Sequence, residues 1–146
     1  MVFKQESVRE RLKRLVETIE RLERQRGSAL DDFAGDVERQ WIVERGFILA
    51  AECLADIAGH ILSGKFGVHP DDHEDAIRRL AEQGVISRDL AAAMRGFGGF
   101  RNILVHGYLR IDPARVHAYL EGHLSELRRF AAEVTTWLGA GERGGT

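Results

Sequence analysis

Four side chains that can act on a phosphate group fall within eight consecutive positions: Arg101, Asn102, His106 and Tyr108, in the stretch GFRNILVHGY. Histidine takes up and releases protons near neutral pH. Arginine offers phosphate a fixed fork of donors and stays charged while negative charge develops. A proton-transfer group and an arginine suffice to cleave RNA without a metal, because the 2′-hydroxyl can be deprotonated to attack the adjacent phosphorus while the guanidinium stabilises the phosphorane.

Helical geometry decides which of these side chains share a face. If residues 101–108 are helical, Asn102 and His106, four positions apart, lie on one face, and Arg101 and Tyr108, seven apart, share a neighbouring one. Gly107 weakens the helix just after His106 and allows the backbone to turn there. Arg101 and His106 are separated by about 140° around an ideal helix. A two-fold dimer would overcome this separation by placing two arginines and two histidines around one shared groove. The spacing alone is weak evidence, since a single histidine among aliphatic residues is more often structural.

Composition and charge limit the class of protein. The chain has 146 residues, of which 44% are hydrophobic and 30% charged, so we expect one globular domain and exclude a disordered chain. The net charge of −2 argues against a polycation. The charge is unevenly distributed, however, since residues 88–115 hold five arginines against two acids. This local basic excess surrounds the motif, where an anionic ligand would dock.

Several features predict a cytoplasmic protein with no membrane segment. The start MVFKQESVRE is charged and lacks the apolar core of a signal peptide. No apolar run approaches the roughly 18–20 residues that a spanning helix needs. Cys53 is the single cysteine, which excludes an internal disulfide, and its apolar surroundings indicate a buried thiol.

Apolar residues recur at helical spacing along almost the whole chain and predict an all-α antiparallel bundle of four to five helices. Residues 1–138 form the domain and 139–146 a flexible, glycine-rich tail. The first helix precedes Gly27, and the second follows SALDDFAGD and ends near Gly64. The third runs from Pro70 to Gly84, the fourth is capped by Ser87 and leads through GFGGF into the motif, and the fifth opens at Asp112-Pro113.

An acidic pair on the second helix is a candidate support for the motif. Glu52 and Asp56 are four positions apart and share a face. They either orient Arg101 or His106 or form a solvated acidic stripe, and the residue types favour neither reading.

Two further groups invite interpretation. His69 and His73 are four apart near carboxylates, but they straddle a helix start without a recognised ligand spacing, so no metal site is predicted. The glycines Gly96, Gly98 and Gly99 do not follow a strand and are interpreted as points where another element approaches closely, including one across a dimer axis.

The motif and its surroundings resemble a known family. FRNILVHGY is similar to the signature R-N-x-x-x-H-x-Y of HEPN domains in their HepT branch, with Arg101, Asn102, His106 and Tyr108 at the matching positions. The stretches VERQWIVERGFILAAECLADIAGHIL, LAEQGVISRDLAAAMRGFGGFRN and YLRIDPARVHAYL resemble the family's second helix, its approach to the motif and its exit. Gly107 stands where an acidic residue is frequent.

The resemblance implies an all-helical homodimer whose paired R-x4-H motifs form a composite ribonuclease site that needs no cofactor or metal. It also implies a toxin–antitoxin setting with transfer RNA as a plausible target. The implied partner is a minimal MntA-like nucleotidyltransferase that transfers AMP to the motif tyrosine, here Tyr108. The added bulk and negative charge would block the groove beside Arg101 and His106.

Two functions from different classes follow. The first is a metal-independent endoribonuclease toxin, in which Arg101 binds the phosphoryl group and His106 acts as acid or base. Asn102 orients the histidine or contacts the ligand, and Tyr108 is a ligand contact and the regulatory target. The second is a non-catalytic module that presents nucleotide or substrate to a separate nucleotidyltransferase. A plain helical scaffold is a weaker third hypothesis.

Overall fold

The computed structural model describes residues 3–143, with the side chains described as far as Gly141. Eight α-helices and one 3₁₀ helix, and no β-strand, occur in this part of the chain. The helices are α1 (Gln5–Glu23), α2 (Leu30–Ala34), α3 (Val37–Phe66), α4 (His73–Glu82), α5 (Arg88–Ala93), α6 (Phe97–His106), the 3₁₀ helix (Tyr108–Arg110), α7 (Pro113–Gly122) and α8 (Leu124–Arg143). The predicted all-α class is confirmed.

Helix α3 is the centre of the bundle. It packs against α1, α4, α6 and α7, while α1 also packs against α8. Its residues Phe47, Leu54, Ile57 and Ile61 have almost no solvent exposure and supply much of the core. Cys53 is also buried there as predicted, and burial raises the pKa of its thiol. The long central helix therefore gives the shorter helices a common surface on which to pack.

Helix α3 is long and apolar enough on average to cross a membrane, by length and composition alone. Charged residues such as Glu52 and Asp56 interrupt it, so it contains no continuous apolar run of the roughly 18–20 residues considered above. Core helices of soluble proteins meet the same criterion, and 44% of the relevant window is buried inside the bundle. The packing of α3 against five other helices, α2 among them, explains why so many of its residues are apolar.

Local capping chemistry fixes the starts of two helices as predicted. The Ser87 hydroxyl accepts a hydrogen bond from the Leu90 amide at the start of α5. The Asp112 carboxylate accepts one from the Ala114 amide, and Pro113 is the first residue of α7.

Other boundaries differ from the predictions. Helix α4 does not start at Pro70, because Asp72 accepts a hydrogen bond from the Asp75 amide and acts as the N-cap. Helix α3 continues past Gly64 and ends at Phe66, followed by the C-cap Gly67, whose φ of 64° is left-handed. In both cases the residue that satisfies the backbone groups at the helix end determines where the helix stops or starts.

The predicted bundle is also more finely divided. The segment SALDDFAGD contains the short helix α2, and the last predicted helix is divided between α7 and α8 at His123. The fourth predicted helix is divided at Gly96, whose φ of 94° is strained for any other residue and separates α5 from α6. At the other end of the chain, α8 continues beyond residue 139 to Arg143, and positions 144–146 of the predicted tail lie outside the described residues.

Candidate active site

The helix that carries the motif, α6, is fixed to the core by Phe100, which directly precedes Arg101. The Phe100 side chain is 1% exposed. Its ring lies parallel to that of Tyr119, with 3.9 Å between centroids, and meets the ring of Phe47 edge-on at 5.2 Å. Because Tyr119 belongs to α7 and Phe47 to α3, these contacts hold α6 between two other helices.

The beginning of α6 is held by α4. The Glu74 carboxylate accepts hydrogen bonds from the Gly96 amide at 3.1 Å and the Gly98 amide at 2.8 Å. A carboxylate at this position caps the helix and interacts favourably with its dipole. A Cβ atom on Gly98 would lie only 3.0 Å from the Cβ atom of His73, whereas one on Gly99 would have nothing within 4 Å. Within one chain, the close approach predicted for the glycines is therefore made at Gly98, by α4.

Arg101 is half-buried and already hydrogen-bonded. Its Nη2 atom donates to Oε1 of Glu52, and its Nη1 atom donates to Oδ1 of Asn102, each at 3.1 Å. The side chain is 21% exposed, and its Nε atom is buried with no hydrogen-bond partner among the described residues. Two neighbours thus restrain the guanidinium, while the buried Nε donor has no partner among the described residues.

The second member of the acidic pair lies elsewhere. Asp56 forms an ion pair with Arg11 of α1, with 3.6 Å between the carboxylate oxygen and Nε. Glu52 is thus the member that contacts Arg101, while Asp56 links α3 to α1. The first alternative, orientation of Arg101, applies to Glu52 alone. The second, exposure to solvent, applies to both carboxylates.

His73 is a neighbour of the site that the sequence did not reveal as one. Its Nε2 atom is buried and has no hydrogen-bond partner among residues 3–143. Burial lowers the pKa of His73, the positive charge of Arg101 lowers it further, and Glu52 and two other carboxylates oppose the change. His73 is therefore mostly neutral at neutral pH, and it lies close enough to Arg101 for the two side chains to interact electrostatically. The sequence presented it only as a possible metal ligand, because the contact between α4 and α6 joins distant parts of the chain.

The end of the motif is exposed. His106 is the last residue of α6, and its side chain faces solvent without a hydrogen bond to any described residue. Asn102, one helical turn earlier, is exposed as well. The turn expected at Gly107 is confirmed, since α6 ends at His106 and Gly107 is its C-cap. Tyr108 belongs to the following 3₁₀ helix and therefore does not share a helical face with Arg101. There Tyr108 is 69% exposed and Leu109 86% exposed.

This arrangement combines a restrained cation with accessible polar groups. The guanidinium of Arg101 can bind an anion, the imidazole of His106 can exchange a proton with a ligand, and the phenol of Tyr108 is open to modification. No hydrogen bond joins Arg101 to His106 within the part of the chain that the structure describes. One chain thus supplies the groups for phosphate chemistry but does not itself bring them into mutual contact.

Comparison with known proteins shows the family. The family model described as Ribonuclease HepT-like matches residues 12–134, which include the four motif residues. The chain belongs to this family. The resemblance inferred from FRNILVHGY is thereby confirmed, and it extends over most of the HepT-like chain rather than over the motif alone.

Individual relatives are consistent with this family membership. The HepT-like chain is 27% identical over 128 residues to the tRNA nuclease HepT of Aphanizomenon flos-aquae, covering 88% of this chain and 87% of that protein. Its fold is similar to that of the tri-AMPylated HEPN toxin of Shewanella oneidensis, solved in complex with MNT antitoxin, with a TM-score of 0.79, 23% identity and coverage of 88% and 96%. Bacillus subtilis YutE has the same fold, with a TM-score of 0.82, 16% identity and coverage of 96% and 94%.

Proposed function

We propose that this HepT-like chain is the toxin of a toxin–antitoxin pair and a metal-independent endoribonuclease whose substrate is transfer RNA. The observation that carries the proposal is the state of Arg101, whose guanidinium is restrained by Glu52 and Asn102 while 21% of the side chain stays exposed to a ligand. Such a preorganised cation stabilises the charge that develops on a phosphorane. The family match and the tRNA nuclease among the relatives support RNA as the substrate.

The proposed reaction needs only side chains of this protein. A base takes the proton of the 2′-hydroxyl, the 2′-oxygen attacks phosphorus, and the bond from phosphorus to the 5′-oxygen breaks as that oxygen is protonated. The products are a 2′,3′-cyclic phosphate and a 5′-hydroxyl. Arg101 binds the phosphoryl group, His106 serves as acid or base, and Asn102 contacts the ligand or orients the imidazole. We propose that a homodimer brings two motifs to one groove and so supplies both proton-transfer groups.

Tyr108 is the proposed site of control by an MntA-like nucleotidyltransferase. Its phenolic oxygen would attack the α-phosphorus of ATP, releasing pyrophosphate and the phenolic proton and leaving AMP on the tyrosine. The exposure of Tyr108 supports this role, because a transferase can reach the hydroxyl without unfolding the toxin. The bound AMP would place a negative charge and a bulky group two positions from His106, which opposes the approach of an RNA phosphate.

The variant His106→Ala tests the ribonuclease proposal. We expect it to abolish RNA cleavage in EDTA and growth inhibition, while sedimentation shows an unchanged assembly because the side chain is exposed and makes no hydrogen bond to a described residue. His69→Ala removes another exposed histidine, outside the motif, and should leave cleavage unchanged. If the wild-type protein cuts no RNA in EDTA and its expression alone is harmless, the proposal is wrong.

One observation favours the second candidate, a non-catalytic module that binds nucleotide for a separate transferase. General bases are usually oriented by a third group, and among the described residues no such partner is bonded to His106. A binding module predicts that nucleotides at equal concentration raise the melting temperature in the order of their affinity, without any strand scission. Thermal-shift titration combined with a cleavage assay on the same preparation separates the two functions.

A further inference from the structure

A basic pocket lies between α4 and α5, beside the beginning of the motif helix rather than its exposed end. Its volume is about 280 Å³. Three alanines form its apolar part, and three arginines and two glutamates complete the lining. One of those glutamates is Glu74, the residue that caps α6 through the amides of Gly96 and Gly98. The pocket, which we call the α4–α5 pocket, is thus joined directly to the helix that carries Arg101.

Both carboxylates of the α4–α5 pocket are already bound. Glu82 accepts a hydrogen bond from Arg78 at 2.7 Å, and Glu74 is bonded to backbone amides. The other two arginines, Arg88 and Arg95, are exposed, and within residues 3–143 neither has a carboxylate at ion-pair distance. The pocket therefore presents two guanidinium groups without an ion-pair partner, and its three arginines outnumber its two glutamates.

The position of these two arginines relative to the motif is set by the chain itself. Arg88 begins α5, and Arg95 directly precedes Gly96, where the chain turns into α6. Arg101 follows Phe97 by four residues on α6, which is about 6 Å of helix. Stacked nucleotides advance by about 3.4 Å each along a strand. A strand bound at Arg101 therefore needs only a few further nucleotides to reach the pocket.

We infer that the α4–α5 pocket binds the sugar–phosphate backbone of the RNA strand next to the cleaved linkage, with Arg88 and Arg95 each on a phosphate. This inference rests on the ribonuclease function proposed above and extends its substrate-binding surface. Arginine suits the role because its fork of donors matches two phosphate oxygens. The small alanine side chains between the arginines leave room for a ribose or base to lie against the floor. The arginine excess of residues 88–115 is then partly a substrate-binding feature.

Steady-state kinetics on the whole protein test the inference. For the double variant Arg88→Ala/Arg95→Ala, we expect KM for a 20-nucleotide single-stranded RNA to rise about tenfold, with kcat within about twofold of wild type, because neither side chain touches the cleaved linkage. The plot of log(kcat/KM) against log[salt] should become shallower by about 1.4, or about 0.7 for each lost phosphate contact. A dinucleoside monophosphate has no flanking phosphate and should be cleaved equally by both proteins.

The control removes the same charge elsewhere. Arg21 and Arg24 lie exposed at the end of α1, which packs against α3 and α8, so Arg21→Ala/Arg24→Ala should leave KM unchanged. If the alanine pair in the pocket lowers the melting temperature, Arg88→Gln/Arg95→Gln keeps the side-chain length and replaces it in the same assays.

The outcomes separate this inference from the function on which it rests. A wild-type protein that cleaves RNA, with unchanged KM and salt slope in the double variant, overturns the inference and leaves the ribonuclease function intact. A wild-type protein that cleaves no RNA overturns both. Unchanged RNA kinetics together with lost binding to the nucleotidyltransferase would assign the pocket to a protein partner, and this also overturns the inference.

Discussion

The two ends of the motif helix are held in opposite ways. At its beginning, Gly98 lies under α4, and Phe100 is stacked in the core. At its end, His106 faces solvent and Tyr108 lies on an exposed 3₁₀ helix. Arg101, the proposed charge-stabilising group, is thus rigidly placed by its own chain, whereas His106, the proposed proton-transfer group, is left to be positioned by a ligand or a second copy. Preorganisation is worth most where charge develops in the transition state, which is the role proposed for Arg101.

The largest expected effect comes from removing the anchor of the rigid end. Phe100→Ala deletes a side chain that is 1% exposed and packed between two aromatic rings, so we expect the free energy of unfolding to fall by about 3–5 kcal/mol. Leu109→Ala, at a side chain that is 86% exposed, should change it by less than about 0.5 kcal/mol. Urea denaturation measures both. If Leu109→Ala lowers the free energy of unfolding by more than about 1 kcal/mol, this residue is covered in solution. The end of the motif helix would then not be exposed, and the contrast between its two ends would fail.

Alanine substitutions at two adjacent glycines should have smaller effects on stability, and the two effects should have opposite signs. Gly98→Ala places a methyl group 3.0 Å from the Cβ atom of His73 and 3.1 Å from Glu74, which must move α4 away and destabilise the protein by about 1–3 kcal/mol. Gly99→Ala adds a methyl group to an open helical position and should stabilise the protein by about 0.5–1 kcal/mol.

Thermal unfolding of these two variants isolates the contact with α4. The substitution is the same at neighbouring helical positions, and only the methyl group at position 98 meets α4. Equal shifts in melting temperature for the two variants would show that α4 does not restrain the start of α6.

The sequence predicted structural features that depend on residues close together in the chain. It missed features that depend on contacts between distant segments. Helix starts at Ser87 and Asp112 follow from a side chain and the amides just after it, and they were predictable. The end of α6 at His106 was indicated in the same way by Gly107, but the sequence did not show that Tyr108 would enter a 3₁₀ helix. The contact of α4 with Gly98 joins segments about 25 positions apart, so helical periodicity carries no trace of it.

The same distinction applies to the acidic pair on α3. The spacing of four showed that the two carboxylates share a face. It did not show which partner each carboxylate would contact. Glu52 contacts Arg101 and Asp56 contacts Arg11, and these partners come from opposite parts of the chain. The family signature supplied the candidate site, and only the packing of α1 and α6 on α3 shows which of its predicted supporting residues touches the motif.

The last predicted effect depends on pH and concerns His73 at the rigid end. Its folded-state pKa is lowered, first by burial and then by the charge of Arg101, so below the ordinary value of 6.5 the unfolded chain binds the proton more readily than the folded one. The free energy of unfolding should therefore fall as pH drops from 7 towards 5, by at most about 1.4 kcal/mol for each pH unit. His73→Gln does not titrate and should remove this part of the slope.

Urea denaturation of the wild type and His73→Gln across this pH range isolates the histidine. Asp75 and Glu23 have lowered pKa values, so their stabilising contributions to the free energy of unfolding are lost only at still lower pH. Burial raises the pKa of Glu44, so its contribution has the opposite sign, but it is the same in both proteins and cancels in their difference. Parallel curves for the two proteins would mean that the imidazole is not desolvated beside Arg101, and the start of the motif helix would then be as open to solvent as its end.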